Sequence, residues 1–442
     1  MNKNIKMQAA SEDLNAAFVA NSNSNDSSGA PRRVYDGGSE RAGKSGGDET
    51  GKGRIRRKNR VDLALIIAGV VGIIGGLGII LAALLMPSEE LSELHFPAIP
   101  SAEAKEGSYS VLTGEALADG SDASAPIYCI QTPNGTDGAR PQAGLNSAGV
   151  IFEAVAEAGI TRFAAIYQAP TTAIIGPIRS LRTYYLQWDT PFDCTIVHAG
   201  GSGDALAAVA AGGYKDLSED YSYMYRGTYG GRLWNNLFTT SAALARFSAE
   251  RGYNSSNARG FARMTPAESE RARIDGLAVE KLDITKAASG DTSALGAAVS
   301  AVTMRFGGVA SFNASYAYDP STNKYLRSYE SGVPHEVYSC EAADLGERNP
   351  EDVCTLTQMA PSVVIGMVVS ESRAADNYHE DITTTGSGDA YIFQNGIAIK
   401  GTWRKDSVAD QIKFVDVNGE EIRLAPGQTI ISAVPEYGRV EY

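Results

Sequence analysis

Residues 195–211 read TIVHAGGSGDALAAVAA, which is an apolar run, a glycine-rich loop and an alanine-rich segment in direct succession. Thr195–Val197 predicts a strand, the stretch from His198 to Gly203 a turn, and Asp204–Ala211 a helix. A strand that passes through a glycine-rich turn into a helix is typical of proteins whose helices cover a sheet. We therefore predict an α/β fold around these residues.

The same alternation of strand and helix signals extends over residues 126–290, which we interpret as an α/β module. Its other predicted strands are the short apolar runs Ile127–Gln131 and Phe163–Tyr167. Its other predicted helices are Leu145–Ala158, a segment from Pro177 to Leu186, and Ser241–Arg251. Helices placed between strands in this way predict a mostly parallel sheet.

Residues 295–442 predict a second module that is β-rich and mainly antiparallel. Asn395-Gly396 and Asn418-Gly419 each stand between apolar runs, and Asn-Gly in that position is a strong hairpin signal. The turn Asp319–Asn323 predicts a third hairpin between Ser311–Tyr318 and Tyr325–Tyr329. Val363–Val369 is continuously apolar, which indicates a central strand buried on both faces.

One transmembrane helix is predicted ahead of both modules. Five basic residues lie within residues 54–60, and Leu63–Met86 then provides 24 residues without a charge. A helix of that length crosses a hydrocarbon core of about 30 Å. Because basic residues stay on the cytoplasmic side, we predict a disordered cytoplasmic tail (1–60), a membrane span (61–86) and an extracytoplasmic stalk (87–125).

The predicted span also carries a pattern of small residues. A cleaved signal peptide would be shorter and nearer the N-terminus, so we interpret residues 61–86 as an uncleaved signal-anchor of a single-pass membrane protein. Ala68, Gly72 and Gly76 lie four residues apart, a spacing that allows two membrane helices to approach closely. The pattern makes a dimer possible, and glycine is also common in membrane helices that stay monomeric.

Charge differs sharply between the two sides of the predicted span. Residues 1–61 hold 12 Lys/Arg and 7 Asp/Glu, whereas the remainder holds 27 basic and 45 acidic residues. Phosphate neutralisation needs clustered cations, so the acidic outer part is not expected to bind nucleic acid. The single-pass membrane anchor and an acidic exterior are both consistent with a protein at the outer face of a cell membrane.

The candidate ligand site of the α/β module groups charged side chains with the glycine-rich loop. In open α/β sheets, ligands bind beyond the carboxyl ends of strands, where helix N-termini present free N–H groups. Three arginines near that edge would offer donors to a carboxylate or phosphate. The predicted site residues are Glu153, Thr161, Arg162, Arg179, Arg182, His198, Gly200, Gly201 and Ser202.

These residues leave two function classes open. A binding protein would need only converging donors for an anionic or glycan ligand, whereas an envelope hydrolase or transferase would use His198 and Glu153 as an acid/base pair beside the arginines. Arg179 or Arg182 could instead pair with Glu153 or Asp189 and serve only structure. The loop lacks the Walker lysine and the Gly-x-Gly-x-x-Gly spacing, so we predict no cofactor.

Two further groups of residues could bind a ligand. His379-Glu380-Asp381 with Asp376 contains metal-ligand types, but neighbouring side chains of an extended chain point apart, and we predict a solvated loop without metal. Aromatic residues crowd one stretch of the α/β module, where they either form a glycan-binding lid or pack their rings in an irregular loop. They are Tyr214, Tyr221, Tyr223, Tyr225, Tyr229 and Trp234.

All four cysteines follow the predicted span, on the side where disulfides persist. Cys340 and Cys354 bracket a short polar loop, and we predict a disulfide between them. Cys129 and Cys194 lie in strand-like apolar runs. They would pair if those strands are neighbours, and would otherwise be buried thiols.

Several ordered motifs occur along both modules. In the first module they are ARPQAGL (139–145), EAGITRF (157–163), IGPIRSLR (175–182) and HAGGS (198–202). In the second module they are GSGDA (386–390), Gly396 to Trp403 and LAPGQT (424–429). Together these motifs resemble the YerB-like family of bacterial cell-surface proteins, and the resemblance spans about residues 126–436.

The resemblance implies a two-part protein of unknown function, with an α/β part followed by a β-rich part and no established catalytic residues. It also implies a cell-envelope location, since members are usually lipoproteins anchored through a cysteine. This chain departs from that pattern because no cysteine follows its apolar run. A family loop that often reads Pro-His-Asn is replaced here by Trp234-Asn235-Asn236-Leu237, which puts any role for that histidine in doubt.

Overall fold

The computed structural model describes residues 109–118, 121–168, 172–228, 235–274, 297–340 and 346–442. The predicted cytoplasmic tail, the span 61–86 with Ala68, Gly72 and Gly76, and the first part of the predicted stalk lie outside these residues. None of the helices within the described ranges is both long and apolar enough to cross a membrane.

The described residues form twenty-two strands and a few helices. In chain order the strands are β1 Ile127–Pro133, β2 Val150–Glu157, β3 Ile160–Gln168, β4 Ile174–Ile175, β5 Thr195–His198, β6 Lys215–Ser218, β7 Met224–Arg226, β8 Leu237–Thr240, β9 Ala297–Ala298, β10 Ala301–Arg305, β11 Ala314–Asp319, β12 Lys324–Tyr329, β13 Glu336–Ser339, β14 Thr355–Gln358, β15 Val363–Val369, β16 Glu371–Arg373, β17 Glu380–Ile382, β18 Gly386–Gln394, β19 Ile397–Lys405, β20 Lys413–Val415, β21 Thr429–Pro435 and β22 Arg439–Glu441. The helices are α1 Thr183–Asp189, α2 Gly203–Ala210, α3 Ser241–Arg251, α4 at 266–274 and α5 Pro350–Val353.

One large sheet takes strands from both halves of the chain. Its order is β20-β19-β18-β15-β21-β2-β3-β1-β5-β6, with β9 added beside β19. The prediction of a mostly parallel sheet is only partly right, because β3 runs antiparallel to both β1 and β2. Parallel pairing occurs where β1, β5 and β6 adjoin and where β2, β21 and β15 adjoin. The sheet is therefore mixed.

The predicted helix Leu145–Ala158 is wrong. Leu145–Ser147 forms one turn of 3₁₀ helix, and Val150–Glu157 is strand β2. Val150, Phe152 and Ala154 pack into the hydrophobic core on one face of the sheet, whereas Ile151 and Val155 pack into the core on the other face. A strand buried on both faces has no polar alternation, and its apolar residues also fit a helical stripe.

The helix predicted from Pro177 to Leu186 begins later, at Thr183. The preceding backbone is extended because its N–H groups donate elsewhere: Ile178 to the Leu237 carbonyl, Arg179 to that of Gln131, and Leu181 to that of Gly200. The predicted helices Asp204–Ala211 and Ser241–Arg251 are confirmed as α2 and α3. The Thr240 side chain caps α3 by accepting from the Ala243 N–H at 3.1 Å.

The C-terminal half is β-rich and mainly antiparallel, as predicted. The hairpins β11–β12 and β18–β19 are confirmed, and Asn395 and Gly396 both have positive φ (53° and 76°), as the tight turn between β18 and β19 requires. The hairpin predicted at Asn418-Gly419 is reduced to strand β20 and a single bridge between Val415 and Glu421. Strand β15 is central, between β18 and β21, as predicted.

Both pairs of cysteines are joined. Cys340 and Cys354 form the predicted disulfide. Cys129 on β1 is bonded to Cys194, which directly precedes β5. Because β1 and β5 are adjacent parallel strands, with Cys129 opposite Ile196, the two Cα atoms lie 5.8 Å apart. That distance is within the range of a disulfide. Of the two alternatives that the sequence left open, a disulfide and a pair of buried thiols, the structure has the disulfide.

Candidate functional site

Strand alternation divides the predicted site residues between the two faces of the sheet. Thr161 and Arg162 are consecutive on β3 and therefore point to opposite faces. Glu153 shares the face of Thr161, whose hydroxyl donates to Glu153 Oε1 at 2.9 Å. The structure thus separates Glu153 and Thr161 from the three arginines, although all five were assigned to one site.

The three arginines instead gather around a carboxylate that the prediction missed, Glu157. A β-bulge between Val155 and Glu157 shifts the register of β2, so Glu157 reaches the face of Arg162. Arg162 Nη2 lies 2.7 Å from Glu157 Oε1, and Arg182 Nη2 lies 2.6 Å from Oε2. We call Glu157, Arg162, Arg179 and Arg182 the arginine cluster.

The arginine cluster carries more positive than negative charge. Burial alone would raise the pKa of Glu157, but Arg162 and Arg182 outweigh it and lower that pKa to about 2. Burial, followed by the neighbouring charge of Arg162, lowers the pKa of Arg179 to about 10 although Glu157 and Asp137 act in the opposite direction. Within the described residues, the Arg179 guanidinium makes no hydrogen bond or ion pair. The Arg179 side chain is thus a partly buried cation, and the neighbouring Arg162 and Arg182 carry the same charge.

The glycine-rich loop lies directly beside the segment that carries two of these arginines. The Ala199 N–H donates to the Arg179 carbonyl, and the Ser202 N–H donates to the Leu181 carbonyl. A Cβ atom added at Gly201 would lie 3.1 Å from the Leu181 carbonyl oxygen, closer than most side chains tolerate. Gly200, Gly201 and Ser202 therefore position the arginine segment through their backbone.

His198 occupies the end of β5, but both of its ring nitrogens have partners. Nδ1 lies 2.7 Å from the Gly200 carbonyl oxygen, and Nε2 lies 2.9 Å from Asp216 Oδ1. The side chain is only 1% exposed. His198 thus fixes the loop and orients Asp216 on β6, without presenting a free nitrogen to the arginine cluster.

Glu153 belongs to a buried network on the opposite face. Arg327 on β12 contacts both of its carboxylate oxygens, at 3.0 and 2.9 Å, and neither side chain is exposed. Burial would lower the pKa of Arg327, but Glu153 outweighs it and raises that pKa. This ion pair joins the C-terminal hairpin β11–β12 to strand β2.

His335 extends the buried network. Arg327 Nε donates to His335 Nδ1 at 2.8 Å, so the ring proton is on Nε2, which lies 3.0 Å from Gln142 Oε1. Burial, with the charges of Arg327 and Arg140, lowers the pKa of His335. Gln142 in turn donates to Asn134 Oδ1 at 3.2 Å. Gln142, the last residue of the ARPQ motif at 139–142, is therefore part of this buried network.

Two of the missed residues left a weak signal in the sequence. Arg327 alternates with Tyr325 and Tyr329 on β12, so a period of two places it inward. Glu157 stands in the EAGITRF motif beside Arg162, but the bulge that turns it towards the arginines has no local signature. Asp216, the partner of His198, gave no signal.

We expect the acid stability of the protein to depend on Glu157. A carboxyl whose folded pKa is about 2 contributes stability above its unfolded pKa of about 4.3, and that contribution is lost as the pH falls towards 2. Glu157→Gln should therefore lower the free energy of unfolding by about 2–3 kcal/mol at pH 6. The difference from wild type should shrink steadily down to pH 2, as measured by urea titration at each pH.

The control for this prediction is Glu250→Gln. Glu250 is an exposed partner of Arg246 at 3.8 Å, and exposed pairs contribute about 0–1 kcal/mol. A difference between wild type and Glu157→Gln that stays constant from pH 6 to pH 2 would contradict the prediction.

Both halves of the chain match family models of unknown function. Residues 112–254 match the model described as "Protein of unknown function (DUF3048) N-terminal domain", and residues 302–431 match the corresponding C-terminal domain. Together these matches cover more than half of the chain.

One curated relative and one solved structure carry the same name. The chain is 36% identical over 118 residues to the "Putative lipoprotein YerB" of Bacillus subtilis (strain 168), a stretch that spans 26% of this chain and 35% of that protein. It also resembles the crystal structure of YerB from Bacillus subtilis with a TM-score of 0.58, at 21% identity over 76% of this chain and 99% of that one. At that identity the structural match shows the shared fold. The chain belongs to the YerB-like family of two-module proteins of unknown function.

Proposed function

We propose that this protein is a membrane-anchored binding protein at the outer face of the bacterial cell envelope, and that it holds an anionic ligand at the arginine cluster. The printed name of its Bacillus relative, "Putative lipoprotein YerB", supports an envelope location. Two disulfides are consistent with an oxidising compartment. In place of a lipid, we propose the predicted helix 61–86 as the anchor, with the N-terminus in the cytoplasm.

The observation that carries the ligand proposal is the unpaired guanidinium of Arg179. Arg162 and Arg182 use one N–H group each on Glu157, so one carboxylate serves two guanidinium groups and Arg179 stays without a partner among the described residues. A bound carboxylate or phosphate would supply the missing negative charge and accept a bidentate pair of hydrogen bonds. The partly buried position would strengthen that contact relative to one at the surface.

Binding is favoured over catalysis by the positions of the two candidate acid/base residues. Glu153 is paired with Arg327 on the face of the sheet opposite the arginine cluster. The ring nitrogens of His198 are both occupied. An envelope hydrolase or transferase that uses these two groups would need them to converge on one substrate atom.

The test is Arg179→Gln in the full-length protein in detergent. Calorimetric titrations with inorganic phosphate and with N-acetylmuramic acid, a sugar carboxylate, should give affinities at least ten-fold weaker than for wild type. A charge-assisted hydrogen bond contributes about 1.5–3 kcal/mol, and about 1.4 kcal/mol corresponds to a factor of ten.

Arg259→Gln is the matched control. Arg259 is exposed and forms a surface pair with Asp410 at 3.4 Å. Its substitution therefore removes the same charge without changing the arginine cluster. The proposal fails if wild type binds neither probe, or if Arg179→Gln binds both as tightly as Arg259→Gln does.

A further inference from the structure

An open depression of about 750 Å3 lies beside edge strand β6, away from the arginine cluster. Its walls are formed by β6, by the segment that follows it to Ser222, and by the C-terminal end of α3 at Arg251. Phe247, which is 1% exposed, is also among its lining residues. The depression therefore combines a concave shape with polar, aromatic and aliphatic lining residues, a mixture that small-molecule sites also use.

Tyr221 presents an aromatic plane in this depression. It is 59% exposed, among the highest values for large apolar side chains in the described residues. Its hydroxyl donates to Glu219 Oε1 at 2.7 Å and accepts from Arg226 Nε at 2.8 Å, while Arg226 Nη2 also contacts Glu219 at 2.6 Å. The Arg226 guanidinium lies 5.9 Å from the centroid of the ring. The ring is thus held by Arg226 and Glu219, while more than half of the side chain stays open to solvent.

Asp216 supplies an oriented acceptor on the wall. Its Oδ1 atom is held by the buried His198 at 2.9 Å, while its side chain remains 30% exposed. No contact within the described residues occupies Oδ2. A carboxylate with one oxygen fixed by the protein and the other exposed is ready to accept from a hydroxyl or an amine.

The charges of the lining decide which class of ligand fits. Asp216, Glu219 and Asp220 line the depression together with Arg251, and Arg226 pairs with Glu219. The three carboxylates outnumber these two cations, so a ligand carboxylate or phosphate would meet like charge. An apolar ring face beside carboxylates suits a molecule that has C–H faces and several hydroxyl donors. Sugars have that structure, because their axial C–H groups pack on aromatic rings while their hydroxyls donate in the ring plane.

We infer that this depression is a glycan-binding site for neutral or amino-bearing sugars, with Tyr221 as the stacking platform and Asp216 as the acceptor. The site is distinct from the arginine cluster and does not depend on the anion proposal. It also divides the tyrosine-rich segment by role, since Tyr225 is buried in the core and Tyr221 is not. Tyr229 and Trp234 lie outside the described residues.

The test measures binding of chitotriose, of its fully deacetylated form and of a hyaluronan tetrasaccharide to the full-length protein in detergent. Tyr221→Ala should weaken binding of both chitotriose forms at least ten-fold. Asp216→Asn, which keeps an oxygen for His198, should weaken the amino form more than the acetylated form because only the amino form is a cation.

Tyr437→Ala is the matched control, since Tyr437 is 60% exposed and its hydroxyl also bonds to a glutamate, Glu371. It should bind both chitotriose forms as wild type does. The inference is overturned if wild type binds neither form, if it prefers hyaluronan, if Tyr221→Ala binds as wild type does, or if Tyr437→Ala loses as much affinity as Tyr221→Ala.

Discussion

Arg327→Met is expected to lower the free energy of unfolding by about 3–5 kcal/mol, the range for breaking a buried ion pair from one side. Arg327 and Glu153 are both fully buried and lie 2.9 Å apart. Without the guanidinium, the Glu153 carboxylate would keep only Thr161 at 2.9 Å and Asn134 at 3.4 Å as neutral partners. An uncompensated charge would then remain between strand β2 and the β11–β12 hairpin.

Urea unfolding of the full chain in detergent, followed by the fluorescence of the buried Trp188 and Trp403, measures this loss. Adding Glu153→Gln to Arg327→Met should restore most of the stability, because the double variant buries no unpaired charge. Arg259→Met removes an exposed pair and should cost about 0–1 kcal/mol. The structural role of the pair would be contradicted if Arg327→Met lost no more stability than Arg259→Met, or if the double variant recovered none of the loss.

Replacing both Cys129 and Cys194 with alanine should destabilise the protein by about 4 kcal/mol, the chain-entropy value for a loop of this length. The bond closes a loop of 65 residues, whereas Cys340–Cys354 closes one of 14 residues, for which the same relation gives about 3 kcal/mol. Cys129 is fully buried and Cys194 is 5% exposed, so the alanine variant also loses packing around both sulfur atoms.

The comparison of the two double-alanine variants by urea unfolding checks this prediction internally. Loss of the Cys129–Cys194 bond should lower the unfolding midpoint more than loss of the Cys340–Cys354 bond. The opposite order would mean that the constraint between β1 and β5 matters less than loop length implies.

Elements with a local signal could be predicted from the sequence. Asn395-Gly396 specifies its hairpin because few residues adopt two consecutive positive φ angles. Val363–Val369 is apolar at every position except Gly366, and its burial follows directly. The strand β2 could not be recognised, because burial on both faces removes the period that separates strands from helices. The mixed pairing of the sheet depends on contacts between residues far apart in the chain, such as Val150 with Thr429.

The candidate site was predicted in part for the same reason. Arg162, Arg179 and Arg182 do converge beside the glycine-rich loop, because the strand-end rule for α/β sheets is general. Glu153 was grouped with them because sequence proximity to Arg162 does not reveal the face on which a side chain lies. The bulge before Glu157 and the pairing of Glu153 with Arg327, which is 174 residues away, exist only in the folded chain.

The position of β21 has a consequence for how the protein is made. Thr429–Pro435 fills the place between β2 and β15 in the large sheet, although it follows both strands in the chain. Until these residues have been synthesised, β2 and β15 each have an open edge, and open edges are templates for aggregation. Folding of the large sheet is therefore completed only after β21 has been synthesised, and a chain that stops before residue 429 is expected to aggregate or to be degraded by proteases.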